Sequence, residues 1–200
     1  FAKPKITSIW DLISLSILIA PYTGIYNLLD GKIELLISLF LCLTIEKNIK
    51  RLTHKWIPHI FKRPDGALDC SILNDGGPVG DRGGFPSGHV ATASLFANLY
   101  YLNNENADNN TFLLYNLFPL IMGIARYMKG CHNIYQIIAG YVLGFSIAYG
   151  FYIFKKIISW FRLFFPVSCC PLLTSRALFS KIATFKFLDS TTCLVLWLGV

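Results

Sequence analysis

Apolar residues gather in runs along this chain, and short polar or charged stretches separate them. The runs cover residues 12–29, 33–45, 90–102, 111–125 and 134–154. Continuous apolar stretches of this length predict helices that bury their surface in protein or lipid rather than offering a polar face to water. Several fall short of the ~20 residues that cross ~30 Å of hydrocarbon, so flanking polar residues complete them at the interfaces. Asp30-Gly31-Lys32 predicts a tight turn between the first two runs, and the Asn-rich stretch 103–110 a solvated connector. A sixth span is expected to begin near Ile157, whereas residues 166–200 mix Pro, Cys, Ser and Thr without a helical stripe. The pattern predicts an all-α, polytopic transmembrane bundle of five or six spans over residues 1–165, followed by an irregular tail over 166–200. Residues 8–29 are too long and too apolar for a signal-peptide core and lack a small-residue cleavage pattern, so they too are expected to span.

Each complete span carries the chain to the opposite face of a bilayer. Counting from the N-terminus, residues 46–88 and 126–133 fall on one face. The 30–32 turn, the Asn-rich connector and Lys155-Lys156 fall on the other. Composition agrees with a membrane: 54% hydrophobic residues, 15% aromatic, and a mean hydropathy of +0.51 exceed the values of soluble domains. The net charge of +7 does not imply nucleic acid, because the basic residues sit at the ends of apolar runs instead of forming one polar face. Lys47, Lys50 and Arg51 follow the second run directly and read as interfacial anchors, as do His54 and His59 beside Trp56 and Pro58. Basic residues flank both faces, so orientation stays undecided. Of the six cysteines none has C-x-x-C spacing, and no metal site is expected. Cys70 and Cys131 share a face and read as free thiols, with a disulfide as the alternative in an oxidising compartment. Pro64-Asp65-Gly66 and Asp75-Gly76-Gly77-Pro78 read as turns.

Candidate chemistry lies on the first face. Phe85-Pro86-Ser87-Gly88-His89 opens one apolar run, and Arg126 and His132 flank the end of another. A Pro-Ser-Gly-His tetrapeptide arises by chance in a chain of this size on the order of once in a thousand sequences. A phosphate ester resists attack because its oxygens are anionic, so cations and amide donors must surround it. Arg63 and Arg126 offer bidentate forks, Lys55 and Lys62 add charge, and Ser87 and Gly88 stand where a helix beginning near His89 presents unpaired N–H groups. Two histidines supply a nucleophile and an acid, and Gln136, four residues after His132, shares its helical face and offers an amide oxygen to its ring.

In combination these residues resemble the type 2 phosphatidic acid phosphatase superfamily, whose fold is shared with vanadium haloperoxidases. That family's motifs are K-x6-R-P, P-S-G-H and S-R-x5-H-x3-D. Here they read Lys55-x7-Arg63-Pro64, Pro86-Ser87-Gly88-His89 and Ala125-Arg126-x5-His132-x3-Gln136, within roughly residues 33–154. The resemblance implies His132 as the nucleophile that forms a phosphohistidine and His89 as the general acid. It implies Lys55, Arg63, Ser87, Gly88 and Arg126 as phosphate ligands. Lys55 lies one residue too far from Arg63, with Trp56 at the usual lysine position, and Lys62 is the substitute. Ala125 deletes a hydroxyl but no charge. Gln136 replaces an Asp and offers a neutral hydrogen bond, roughly half as strong as a charged one. The run Gln136-Ile137-Ile138-Ala139-Gly140 is similar to dolichyl diphosphatase-type members, which marks a subfamily.

The expected function is a multi-pass integral membrane phosphatase acting on a lipid phosphate or polyprenyl diphosphate, without metal or cofactor. Its expected partners are that substrate and the bilayer, and no nucleic acid. The rivals are a phosphotransferase that passes the same phosphoryl group to a lipid alcohol, and a degenerate relative that binds phosphate without turnover.

Overall fold

The computed structural model describes residues 6–19, 21–23, 26, 33–56, 61–71 and 83–164. Helix α1 covers Ile9–Leu15 and runs into a 3-10 turn at Ser16–Leu18; α2 covers Glu34–Trp56, α3 Gly88–Leu102, α4 Asn109–Met128 and α5 Ile134–Phe164. Lys62 and Gly83 pair in an isolated antiparallel bridge. The Asp30-Gly31-Lys32 and Asp75-Gly76-Gly77-Pro78 turns, His59 and the 166–200 tail lie outside the described residues.

Local chemistry explains the helix starts. Ser8 caps α1 and Asp11 answers it in a reciprocal capping box. Asp108 caps α4 by accepting from the Thr111 amide at 2.8 Å. Helix α2 runs to Trp56, well past the expected end at residue 45, because Glu46, Lys50 and Thr53 continue its inward face where the apolar pattern stops. Helix α5 passes through Lys155-Lys156 unbroken, so the stretch from Ile157 continues α5 and does not open a sixth span.

Helix α3 is the centre of the bundle. It is buried from His89 to Leu99 and packs chiefly on α5, then on α4 and α2. Leu39, Cys42, Leu95, Phe96, Ile147 and Ala148 form the largest apolar cluster around it. Gly140 and Gly144, four residues apart on one face of α5, allow the close approach. A Cβ on Gly140 would stand 2.5 Å from the Ser87 carbonyl oxygen, and one on Gly144 would collide with the Ala91 carbonyl. The start of α3 is thereby pinned beside the start of α5.

Among the described residues two helices, Asn109–Met128 and Ile134–Phe161, are long and apolar enough to cross a membrane. Their outer faces expose Leu113, Leu114, Leu120, Ile138, Val142 and Phe154, an apolar surface suited to lipid. Residues 61–71, 83–89 and 126–133 meet at one end of the bundle, and Glu34, Asn103 and Lys155 meet at the other. Cys70 and Cys131, expected as free thiols, are joined in a disulfide that ties the 61–71 segment to the α4–α5 turn.

Candidate active site

His132 sits in the turn between α4 and α5 with 2% of its surface exposed, and Gln136 one helical turn later is fully buried. The Gln136 amide is oriented by backbone on both sides. Its Nε2 donates to the Lys62 carbonyl at 2.7 Å and to the Phe61 carbonyl at 3.5 Å, and its Oε1 accepts from the Asn133 amide at 3.3 Å. That leaves Oε1 facing His132 Nδ1 at 3.0 Å, so Nδ1 carries the proton and Nε2 keeps its lone pair. Nε2 faces Arg63 Nη1 at 3.4 Å. Burial pushes the His132 imidazole well below its ordinary value of 6.5, and the positive charges of Arg63, Arg126 and Lys50 push it further. The ring is neutral at neutral pH, the form a nucleophile requires.

Both arginines are held by carbonyls of the two half-cystines. Arg126, without exposed surface, donates from Nη2 to the Cys70 carbonyl at 2.8 Å and from Nη1 to Ser14 Oγ at 3.4 Å. Arg63 Nη1 donates to the Cys131 carbonyl at 3.2 Å. The disulfide therefore links the two backbone segments that aim the guanidinium groups. Lys129, three residues before His132, pairs with Asp11 at 2.6 Å and donates to the Asp69 carbonyl at 3.2 Å, which docks α1 against this end.

Ser87 and His89 approach from α3. The Ser87 amide donates to the Gln136 carbonyl at 2.9 Å, so the loop before α3 is joined directly to the residue that holds His132. Three buried polar atoms here have no hydrogen-bond partner among the described residues: Ser87 Oγ, His89 Nε2 and Arg126 Nε. Unpaired buried polar atoms are rare and costly, and their clustering at one end of a bundle marks a place where an anion supplies the missing partners. Arg63, Arg126 and Lys50 act electrostatically on both imidazoles, so the two histidines share one field.

A family model described as the PAP2 superfamily matches residues 31–160. The chain belongs to the PAP2 superfamily. Neither the curated proteins nor the solved structures yield a match to it. PAP2 proteins are generally phosphatases, and membership suggests a phosphatase-type function acting on a phosphate ester.

Against the PAP2 pattern, the structure brings Arg63, Ser87, His89, Arg126, His132 and Gln136 to one end, with Gly88 between Ser87 and His89. The two candidate lysines do not join them. Lys55 is exposed near the end of α2, and Lys62 is 45% exposed and pairs with Asp65 at 2.9 Å, although its carbonyl holds Gln136. Lys50, expected as an interfacial anchor, points inward instead and pairs with the buried Glu46 one turn earlier. It lies roughly 140° around the helix from Lys55, at 3.6 residues per turn. Thr53 Oγ1 reaches the Phe85 carbonyl at 3.4 Å and fixes this face of α2 against the loop. Sequence reasoning missed Asp11, Ser14, Glu46 and Lys129. One signal was present for Asp11 and Glu46: an acid within or just after an apolar run is expensive unless paired.

Proposed function

We propose that this chain is a multi-pass membrane phosphatase that removes a phosphoryl group from a lipid ester through His132. The neutral ring attacks phosphorus with Nε2, and the phosphorus–oxygen bond to the lipid breaks. His89 takes up a proton as the bound phosphate oxygens offset the surrounding cations and gives that proton to the departing oxygen. Water, losing a proton to the now neutral His89, then attacks the phosphohistidine, breaks the nitrogen–phosphorus bond and releases inorganic phosphate. Arg63, Arg126 and Lys50 neutralise the phosphoryl oxygens, and Ser87 Oγ with the first amides of α3 adds donors. Lys50 takes the place expected for Lys55 or Lys62. Catalysis rests on these side chains and is expected to survive a chelator.

The observation that carries this reading is the Gln136 clamp, which leaves the lone pair on the nitrogen facing Arg63. The lipid character of the substrate is supported by a groove of about 590 Å³ between α4 and α5, lined by Val90, Pro119, Ile124, Tyr127, Ile134 and Ile137. It adjoins both His89, through Val90, and the turn that bears His132, so a hydrocarbon tail can lie in it while the phosphate enters the cationic end.

The test is phosphate release from a lipid phosphate by the purified chain. His132→Ala is expected to lower turnover by about 10³-fold or more with folding and membrane insertion intact. Retained turnover overturns the assignment. Transfer of the phosphoryl group to an added lipid alcohol in preference to water identifies a phosphotransferase, and vanadate binding without turnover identifies a non-catalytic relative.

A further inference from the structure

We infer that Ser14, on the N-terminal helix, is a positioning residue of the phosphate pocket: its hydroxyl fixes the plane in which Arg126 meets the phosphoryl oxygens, and Asp11 docks the helix that carries it. The inference deepens the reading above and rests on its phosphate pocket.

Helix α1 lies before residues 31–160, the part of the chain that carries the family pattern, so it is an addition to that pattern. Its polarity is inverted. Asp11, Ser14 and Ile17, three residues apart, are buried against the bundle, while Ile9, Leu12 and Ile19 are each more than half exposed. In water a short helix that hides an acid and a hydroxyl and shows its large apolar side chains is unfavourable. Against lipid the outward face is at home, and the inward polar groups need partners within the protein.

Those partners belong to the candidate site. Ser14 Oγ accepts from Arg126 Nη1 at 3.4 Å, across 112 residues of chain, and both residues are without exposed surface. Asp11 divides its carboxylate. Its Oδ2 accepts from the Thr7 and Ser8 amides, each at 2.9 Å, and Oδ1 meets Lys129 Nζ at 2.6 Å. One residue therefore starts α1 and fastens it to the turn that leads to His132. Ile17 packs with Val90, Ala93 and Met122, and Val90 follows His89 directly.

The Cys70 carbonyl holds Arg126 at Nη2, and a guanidinium held at one nitrogen still pivots about that contact. A second acceptor at Nη1 fixes the plane of the fork. Two of its five N–H donors are spent in this way, and Nε is left without a partner among the described residues. A planar grip on phosphate gains from a plane set in advance, because less freedom is lost on binding.

The experiment uses the full chain reconstituted in lipid and compares Ser14→Thr, which keeps the hydroxyl, with Ser14→Val, which has the same shape without it. The readouts are Kd for inorganic phosphate, kcat/KM for a lipid phosphate, and Tm. Ser14→Val is expected to bind phosphate about tenfold more weakly than Ser14→Thr and to lose at least as much in kcat/KM. Should this pair fail to fold, the wild type and Ser14→Ala carry the same comparison. In an Arg126→Met background the exchange is expected to change Kd by no more than about twofold, since the hydroxyl acts through the guanidinium. A serine that only packs gives a lower Tm with Kd and kcat/KM of the folded protein unchanged, and that result overturns the inference. So does a tenfold loss of phosphate binding that persists beside Arg126→Met. A wild type that binds phosphate and hydrolyses no lipid phosphate overturns the phosphatase reading alone, and the Kd ratio still decides the role of Ser14. A wild type that binds no phosphate overturns both.

Discussion

At one end of the bundle Lys155 Nζ meets Glu34 Oε2 at 2.7 Å with the two side chains 41% and 47% exposed, whereas at the other Lys129 meets Asp11 at 2.6 Å with 7% and 5% exposed. The contacts are alike and their surroundings are not. Water screens the first pair, and such pairs contribute ~0–1 kcal/mol. The second lies near the buried Arg126, where the charges have given up hydration. Buried ion pairs are seldom the most stable solution, since apolar side chains of similar volume do as well or better. The costly, desolvated charges are gathered at the end that holds the candidate site, and the water-screened pair lies at the other.

That contrast can be broken by removing one member from each pair. Asp11→Asn takes from the buried Lys129 the carboxylate it holds at 2.6 Å and is expected to destabilise the protein by ~3–5 kcal/mol, read as a large fall in Tm in detergent. Gln136→Asp restores the residue type of the family motif yet is expected to lower kcat by ~10–100-fold. A carboxylate there would face the Lys62 and Phe61 carbonyls with no proton to donate and would lose the clamp on His132. Steady-state kinetics check this, and a gain in kcat would refute the clamp.

The shared electrostatic field gives a pH prediction. His132 must be neutral to attack, and the cations around it hold its pKa below 6.5, so the acid limb of kcat/KM, which reports the free enzyme, lies below pH 6.5. Arg63→Gln removes one of those cations. The pKa then rises, the neutral form is lost at higher pH, and the acid limb moves upward; a limb that stays in place or moves down would contradict the field. The smallest effect belongs to the hydrated end. Glu34→Gln is expected to change stability by no more than ~1 kcal/mol and to leave the pH profile unmoved.

Much of this architecture was legible before any coordinates. Apolar runs placed α3, α4 and the start of α5 within a few residues, because hydrophobic continuity and capping residues such as Asp108 act locally. The end of α2 was not legible. Beyond residue 45 its buried face is made of Glu46, Lys50 and Thr53, which a hydropathy pattern reads as surface. For the same reason a phosphate-binding lysine was sought at Lys55 or Lys62, whereas the lysine of α2 that turns inward is Lys50. Cys70 and Cys131 read as free thiols and are instead a disulfide, since their approach depends on a loop folding back over 61 residues of chain.

The sequence by itself determined that the chain is helical, that its apolar runs set Pro-Ser-Gly-His and Arg126–His132 on a common side, and that Gln136 lies one turn from His132. These are properties of neighbours and of spacing, which a helix converts directly into position. Only the tertiary structure decided which face of α2 turns inward, which carbonyls hold the arginines, and that a glutamate lies against Gly88. Such matters depend on the rotation of each helix about its axis. Here that rotation is set by the close contact of Gly140 and Gly144 with α3 and by loops that no local pattern describes.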